Sequence, residues 1–111
     1  MQIRSRKLGV ATYLTPDGPI LASHLAELRQ AVDQARSGGE VHLVLELRHV
    51  SFVDGLSLEY LEDLAGELRE SGGSLRLAHP SPTCREILAI TRVDQNVPLF
   101  DDLESAGRSF L

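Results

Sequence analysis

The sequence is poor in cysteine, in aromatic side chains and in long apolar runs. Cys84 is the only cysteine of the 111 residues, so no disulfide can form within the chain. A single cysteine is typical of a protein of the reducing cytoplasm, where we expect this chain to act. No stretch approaches the roughly 20 apolar residues that a membrane-spanning helix needs, so we expect no membrane insertion. The polar, basic start at residues 1–7 lacks the apolar core of a secretory signal.

Positive charge is also scarce. Lysine and arginine total 11 against 16 aspartates and glutamates, which gives a formal net charge of −5. Three of these bases, Arg4, Arg6 and Lys7, stand near the N-terminus, so the rest of the chain is more acidic still. Because phosphate backbones are bound by basic surfaces, this charge argues against nucleic acid as a partner.

The pattern of apolar residues predicts one α/β domain over residues 1–111. The predicted strands are 2–6, 10–14, 41–47, 74–78 and 97–100, and the predicted helices are 20–36, 56–71, one from 81–82 and one from 101 or 102. The first two strands form a hairpin, which a turn cluster at 16–19 ends. The later strand–helix–strand units require right-handed crossovers. The sequence therefore predicts a mixed, mostly parallel sheet of four or five strands packed against about four helices.

The most informative segment joins a buried strand to the second helix. Residues 41–47 are almost continuously apolar, as expected of a central strand that is covered on both faces. They lead through a short loop to Phe-Val-Asp at 52–54 and Gly-Leu-Ser at 55–57. Glu-Ser-Gly-Gly at 70–73 then ends the helix and precedes a strand. As a set, these passages and Ser-Pro at 81–82 resemble the STAS domain over nearly the whole chain. That domain is the fold of bacterial anti-sigma-factor antagonists and of the cytoplasmic tails of sulfate transporters.

The loop departs from the family's pattern at one position. The family's hallmark is a loop of the form apolar-Asp-Ser-Ser/Ala-Gly-Leu, whereas this sequence has Asp54-Gly55-Leu56-Ser57. When the two are aligned on Asp54, the phosphorylatable serine of the family falls on Gly55, which has no hydroxyl. The resemblance therefore implies a binding surface that has lost its usual phosphorylation switch, with Ser57 as the alternative acceptor.

The resemblance implies a non-enzymatic regulatory domain that binds a protein partner, as anti-sigma-factor antagonists bind a kinase-type anti-sigma factor. The alternative is a small STAS subunit that binds the ATPase of a bacterial lipid-transport ABC complex, because that group commonly lacks the serine-containing loop. We expect these residues to contact the partner: Phe52, Asp54, Gly55, Leu56, Ser57, Glu59, Glu62 and Asp63. The acidic side of the second helix then faces a basic patch on the partner. No cofactor is expected, and a homodimer stays open.

The same residues also fit simpler structural roles and a different chemistry. An aspartate just before a helix caps its free N–H groups, and a serine such as Ser57 is common in the first turn. His49, Asp54 and His79 are expected at the carboxyl ends of neighbouring strands, where open α/β sheets bind ligands. These residues could bind a metal or a ligand, so the remaining alternative is a ligand- or metal-dependent enzyme with its active site at His49 and His79. No ligand spacing or nucleophile elbow supports it, so we expect no metal and no catalytic residues.

Overall fold

The chain folds around one five-stranded sheet. In the computed structural model, which describes residues 1–111, the strands are β1 (Gln2–Leu8), β2 (Ala11–Asp17), β3 (His42–Glu46), β4 (Ser74–Ala78) and β5 (Leu99–Phe100). They lie in the order β1-β2-β3-β4-β5. Only the β1–β2 pair is antiparallel; the other three pairs are parallel. The predicted mixed, mostly parallel sheet with an N-terminal hairpin is confirmed.

Three α-helices connect the strands, and a fourth follows the last strand. They are α1 (Leu25–Ser37), α2 (Gly55–Glu70), α3 (Pro82–Ile90) and α4 (Leu103–Arg108), with 3₁₀ turns at Ala22–His24 and Val93–Gln95. Ser81 caps α3, because its hydroxyl accepts the backbone N–H of Cys84 at 3.1 Å. None of these helices is long and apolar enough to cross a bilayer.

The two faces of the sheet carry separate cores. Alternate residues of a strand point to opposite faces, so Leu43 and Leu45 face α1, α2 and α3, whereas Val44 faces α4. The first core contains 20 buried residues and the second contains five. Apolar side chains on both sides of β3 explain why its sequence is nearly continuous in apolar residues.

Several predicted boundaries differ from the structure, and tertiary pairing explains the two largest differences. The strand predicted to stop before the turn cluster continues as β2 through Pro16, which pairs only with Ile3 of β1. Pairing with β3 ends at Leu14, so the missing N–H of the proline is tolerated there. The helix predicted from residue 20 starts at Leu25, because Ile20 is extended and forms a parallel bridge with Val53.

Candidate functional site

The loop that leads into α2 is fixed by a short ladder to the segment before α1. The N–H of Ile20 donates to the carbonyl of Phe52 at 2.9 Å, and the N–H of Asp54 donates to the carbonyl of Ile20 at 3.1 Å. The side chains of Ile20 and Val53 are buried in the main core. This ladder holds residues 52–54 in one extended conformation at the start of the helix.

Asp54 joins the starts of two helical segments through its carboxylate. Oδ1 accepts the backbone N–H of Ser57 at 3.0 Å, which caps α2 as the sequence predicts. Oδ2 accepts the backbone N–H of Ala22 at 2.8 Å, which begins the 3₁₀ turn before α1. The Ser57 hydroxyl and these two N–H groups favour the charged form, so they lower the pKa of the Asp54 carboxyl below its ordinary value.

Ser57 lies inside the protein rather than on its surface. Its side chain is 0% exposed, and its hydroxyl has no hydrogen-bond partner of good geometry, although it is close enough to Asp54 to affect that pKa. A buried hydroxyl in the first turn of α2 is out of reach of a partner or a kinase unless the turn opens. In this conformation Ser57 does not belong to the accessible surface on which the sequence placed it.

Gly55 and Leu56 are the most accessible part of the helix start. Leu56 is 62% exposed, and Phe52 on the other side of Asp54 is 45% exposed, so two large apolar side chains flank the capping residue. A Cβ atom built on Gly55 would meet nothing within 4 Å, and its φ angle is not positive. The fold of this chain therefore does not require glycine at position 55.

A groove between α1 and α2 begins beside Leu56. It has a volume of about 520 Å³ and is lined by Ala22, Leu25, Ala26, Arg29, Leu56, Glu59, Tyr60 and Asp63. The guanidinium carbon of Arg29 lies 4.9 Å from the ring centre of Tyr60. Burial raises the pKa of the Tyr60 hydroxyl to about 12. The half of the groove that α1 contributes was not predicted from the sequence, although the small side chains of Ala22 and Ala26, four residues apart, indicate a close approach.

The acidic residues of α2 are not equivalent. Glu59 and Asp63 stand at the edge of the groove, are exposed, and make no ion pair. Glu62 lies on the other flank, where it accepts a hydrogen bond from the Asn96 amide at 2.7 Å. The groove therefore has a mixed polar and apolar lining, and two carboxylates at its edge are without ion pairs.

His49, Asp54 and His79, the residues considered for a metal site or an active site, do not form a cluster. No group of three His, Cys, Asp or Glu side chains is placed to hold a metal ion. His49 is exposed, His79 is half-buried with a left-handed φ of 54°, and the carboxylate of Asp54 is directed to Ala22 and Ser57. The structure thus does not bring these three residues together.

Comparison with known proteins agrees with this geometry. The family model of the STAS domain matches residues 2–106. The chain belongs to the STAS domain family. No curated protein matches the chain by sequence.

Solved STAS structures superpose on nearly the whole chain. A Thermotoga maritima protein classed as an anti-sigma factor antagonist has 20% identity and a TM-score of 0.89, over 96% of this chain and 92% of that one. An anti-sigma factor antagonist from Mycobacterium paratuberculosis has 20% identity and a TM-score of 0.86, over 97% and 92%. The phosphorylated form of the Bacillus cell fate determinant SpoIIAA has 16% identity and a TM-score of 0.71, over 97% and 99%. At these identities the likeness establishes the STAS fold.

Proposed function

We propose that this STAS domain is a non-enzymatic regulatory protein that binds a kinase-type anti-sigma factor, as an antagonist of it. The contact surface consists of the start of α2 and the groove beside it, with Phe52, Asp54, Gly55, Leu56, Glu59 and Asp63 as its sequence-predicted members. Glu62 lies on the other flank of α2 and is left out of it. The observation that carries this proposal is an exposed leucine at the start of a capped helix, next to a groove with two carboxylates at its edge.

The chemistry of this surface resembles that of a binding hot spot. Protein interfaces concentrate their binding energy in a few large side chains at the centre, surrounded by polar groups. Leu56 and Phe52 supply the apolar centre, and Glu59 and Asp63 supply charges that accelerate and orient the approach of a basic partner. The backbone ladder and the two bonds to Asp54 fix the loop before binding, so little conformational entropy is lost.

Regulation of this surface differs from the family pattern. Gly55 offers no hydroxyl, and Ser57 is buried, so neither position presents an accessible phosphate acceptor at the start of α2. A phosphate at position 55 would add a charge of about −1.5 to −2 at the centre of the contact. Without it, we infer that binding is constitutive and is controlled by the amounts of the two proteins.

The affinity of Leu56→Asp for the cognate anti-sigma factor tests the proposal. We expect a loss of about 30-fold or more, because a charge replaces a central apolar contact. Ile90→Asp is the matched control, since Ile90 is 76% exposed and ends α3 away from the surface. In isothermal titration calorimetry, the control variant should bind the partner with the same affinity as the unmodified protein. Equal affinities for both variants and the unmodified protein would refute the proposed surface.

The second candidate is a STAS subunit that binds the ATPase of a lipid-transport ABC complex. Gly55 favours it, because that group commonly lacks the serine. Mixing the purified chain with each kind of partner separates the two functions. The first candidate predicts a complex with the anti-sigma kinase that Leu56→Asp weakens, and the second predicts such a complex with the ATPase only.

A further inference from the structure

The face of the sheet opposite α1 and α2 is only partly covered. The short helix α4 packs over Tyr13, Val44 and Ala78. Beside it, a cleft of about 600 Å³ opens over the ends of β1, β2 and β3. This volume falls within the range of small-molecule sites, roughly 300–1,000 Å³, but Leu103 is the one apolar residue in the lining.

Three arginines line this cleft. Arg4 lies opposite Thr15 and Arg6 lies opposite Tyr13 in the β1–β2 register, which places both arginines on this face. Arg48 joins them from the loop after β3. All three arginines are exposed, and none forms an ion pair, whereas Lys7 on the other face pairs with Glu40. Three unpaired guanidiniums in one cleft are notable in a chain whose net charge is −5.

The inner end of the cleft carries a buried carboxylate. Glu46 is only 6% exposed, and it makes one hydrogen bond, which it accepts from the hydroxyl of Thr15 at 2.9 Å. No cation pairs with it, although burial of an unpaired charge is unfavourable. Because the Thr15 hydroxyl donates its one hydrogen bond to Glu46, both side chains present only hydrogen-bond acceptors to the cleft.

We propose that this cleft binds a small phosphorylated polyol. The phosphate fits the three guanidiniums, whose planar N–H groups bind phosphate oxygens in pairs. The hydroxyls of the polyol fit Glu46 and Thr15, which accept hydrogen bonds at the inner end. A simple anion would pair with the arginines but leave the carboxylate without a hydrogen-bond donor. A neutral polyol would donate to the carboxylate but leave the arginines without a counter-charge. The cleft lies on the opposite face from the start of α2, so this proposal is independent of the partner surface.

The test uses the full chain and three probes: D-ribose 5-phosphate, inorganic phosphate and D-ribose. We expect ribose 5-phosphate to shift the backbone amides of Arg4, Thr15 and Arg48 in a ¹H–¹⁵N NMR titration. Its affinity should exceed that of either other probe by about tenfold, because only it uses both ends of the cleft. Absence of binding, or shifts scattered over other surfaces, would overturn the proposal.

Two kinds of variant separate a built site from a basic patch. Arg48→Gln should weaken ribose 5-phosphate about tenfold, whereas Arg92→Gln, which removes an exposed, unpaired arginine outside the cleft, should not. Glu46→Gln can keep the bond from Thr15 but removes the charge, so it should strengthen phosphate binding and bring the two affinities close together. If Glu46→Gln leaves the preference for ribose 5-phosphate unchanged, the carboxylate does not recognise the ligand and the proposal fails.

Discussion

The two faces of the sheet differ in how thoroughly they are covered. On one face, three helices bury a core of 20 residues, and the loop before α2 is held by backbone bonds and by both oxygens of Asp54. On the other face, the six-residue α4 closes a core of five, and a carboxylate and three arginines remain without ion pairs. A thick core thus supports a rigid apolar contact, whereas a thin core leaves room for a polar cleft.

The largest expected loss of stability comes from a truncation in the 20-residue core, on the thickly covered face of the sheet. Leu61 is 1% exposed on α2, within the main core. Leu61→Ala should reduce the free energy of unfolding by about 2–5 kcal/mol, because it creates a cavity in a close-packed region. Leu103→Ala, on the half-buried side of α4, should cost less, because the thin face can relax. Urea unfolding measures both, and an equal loss in the two variants would contradict the comparison.

The next largest effect on stability is expected at Gly73, which packs tightly against the backbone of Val41. A Cβ atom on Gly73 would lie 1.9 Å from the carbonyl oxygen of Val41, so the backbone would have to move. We expect Gly73→Ala to destabilise the protein by about 1–3 kcal/mol. A Cβ atom on Gly66 of α2 would meet nothing within 4 Å. Gly66→Ala should therefore stabilise the protein by about 0.5–1 kcal/mol. Thermal melts that rank the two variants in the opposite order would be inconsistent with this packing.

The double cap predicts a smaller effect that depends on pH. The folded-state pKa of Asp54 is lowered, so its contribution to stability is present above its ordinary pKa of 3.8 and is lost as pH falls through the folded value. Asp54→Asn should therefore be less stable than the unmodified protein at pH 7, and the difference should shrink as pH falls below 4. Asp63→Asn, which removes a carboxylate without a hydrogen bond, controls for the loss of charge. A gap that stays constant down to pH 2 would argue against the cap.

The smallest effect on stability is expected at Gly55, where a change should matter for regulation. Gly55→Ser should alter stability by no more than about 0.5 kcal/mol, since the site is open. It should nevertheless restore the switch: with the cognate kinase and ATP, intact mass spectrometry should show one added phosphate in the variant and none in the unmodified protein. A phosphate on Ser57 of the unmodified chain would disprove the loss of the switch.

Local signals were sufficient for part of this account. The Asp54 cap could be predicted because it spans three residues, and the helix that follows has a clear apolar period. The bond from Ala22 to Asp54 could not, because it joins residues 32 positions apart that share no pattern. Ile20 was predicted as helical because its apolar character continues the periodicity of α1, yet its pairing with Val53 depends on the tertiary fold. The groove was half missed for the same reason.

Hydrogen–deuterium exchange of the complex with the cognate partner tests the central claim most directly. The account predicts slower exchange in residues 52–63 and 22–29, which form the start of α2 and the groove, and unchanged exchange in β1. Slower exchange confined to β1 and the cleft beside α4, with residues 52–63 unaffected, would contradict it.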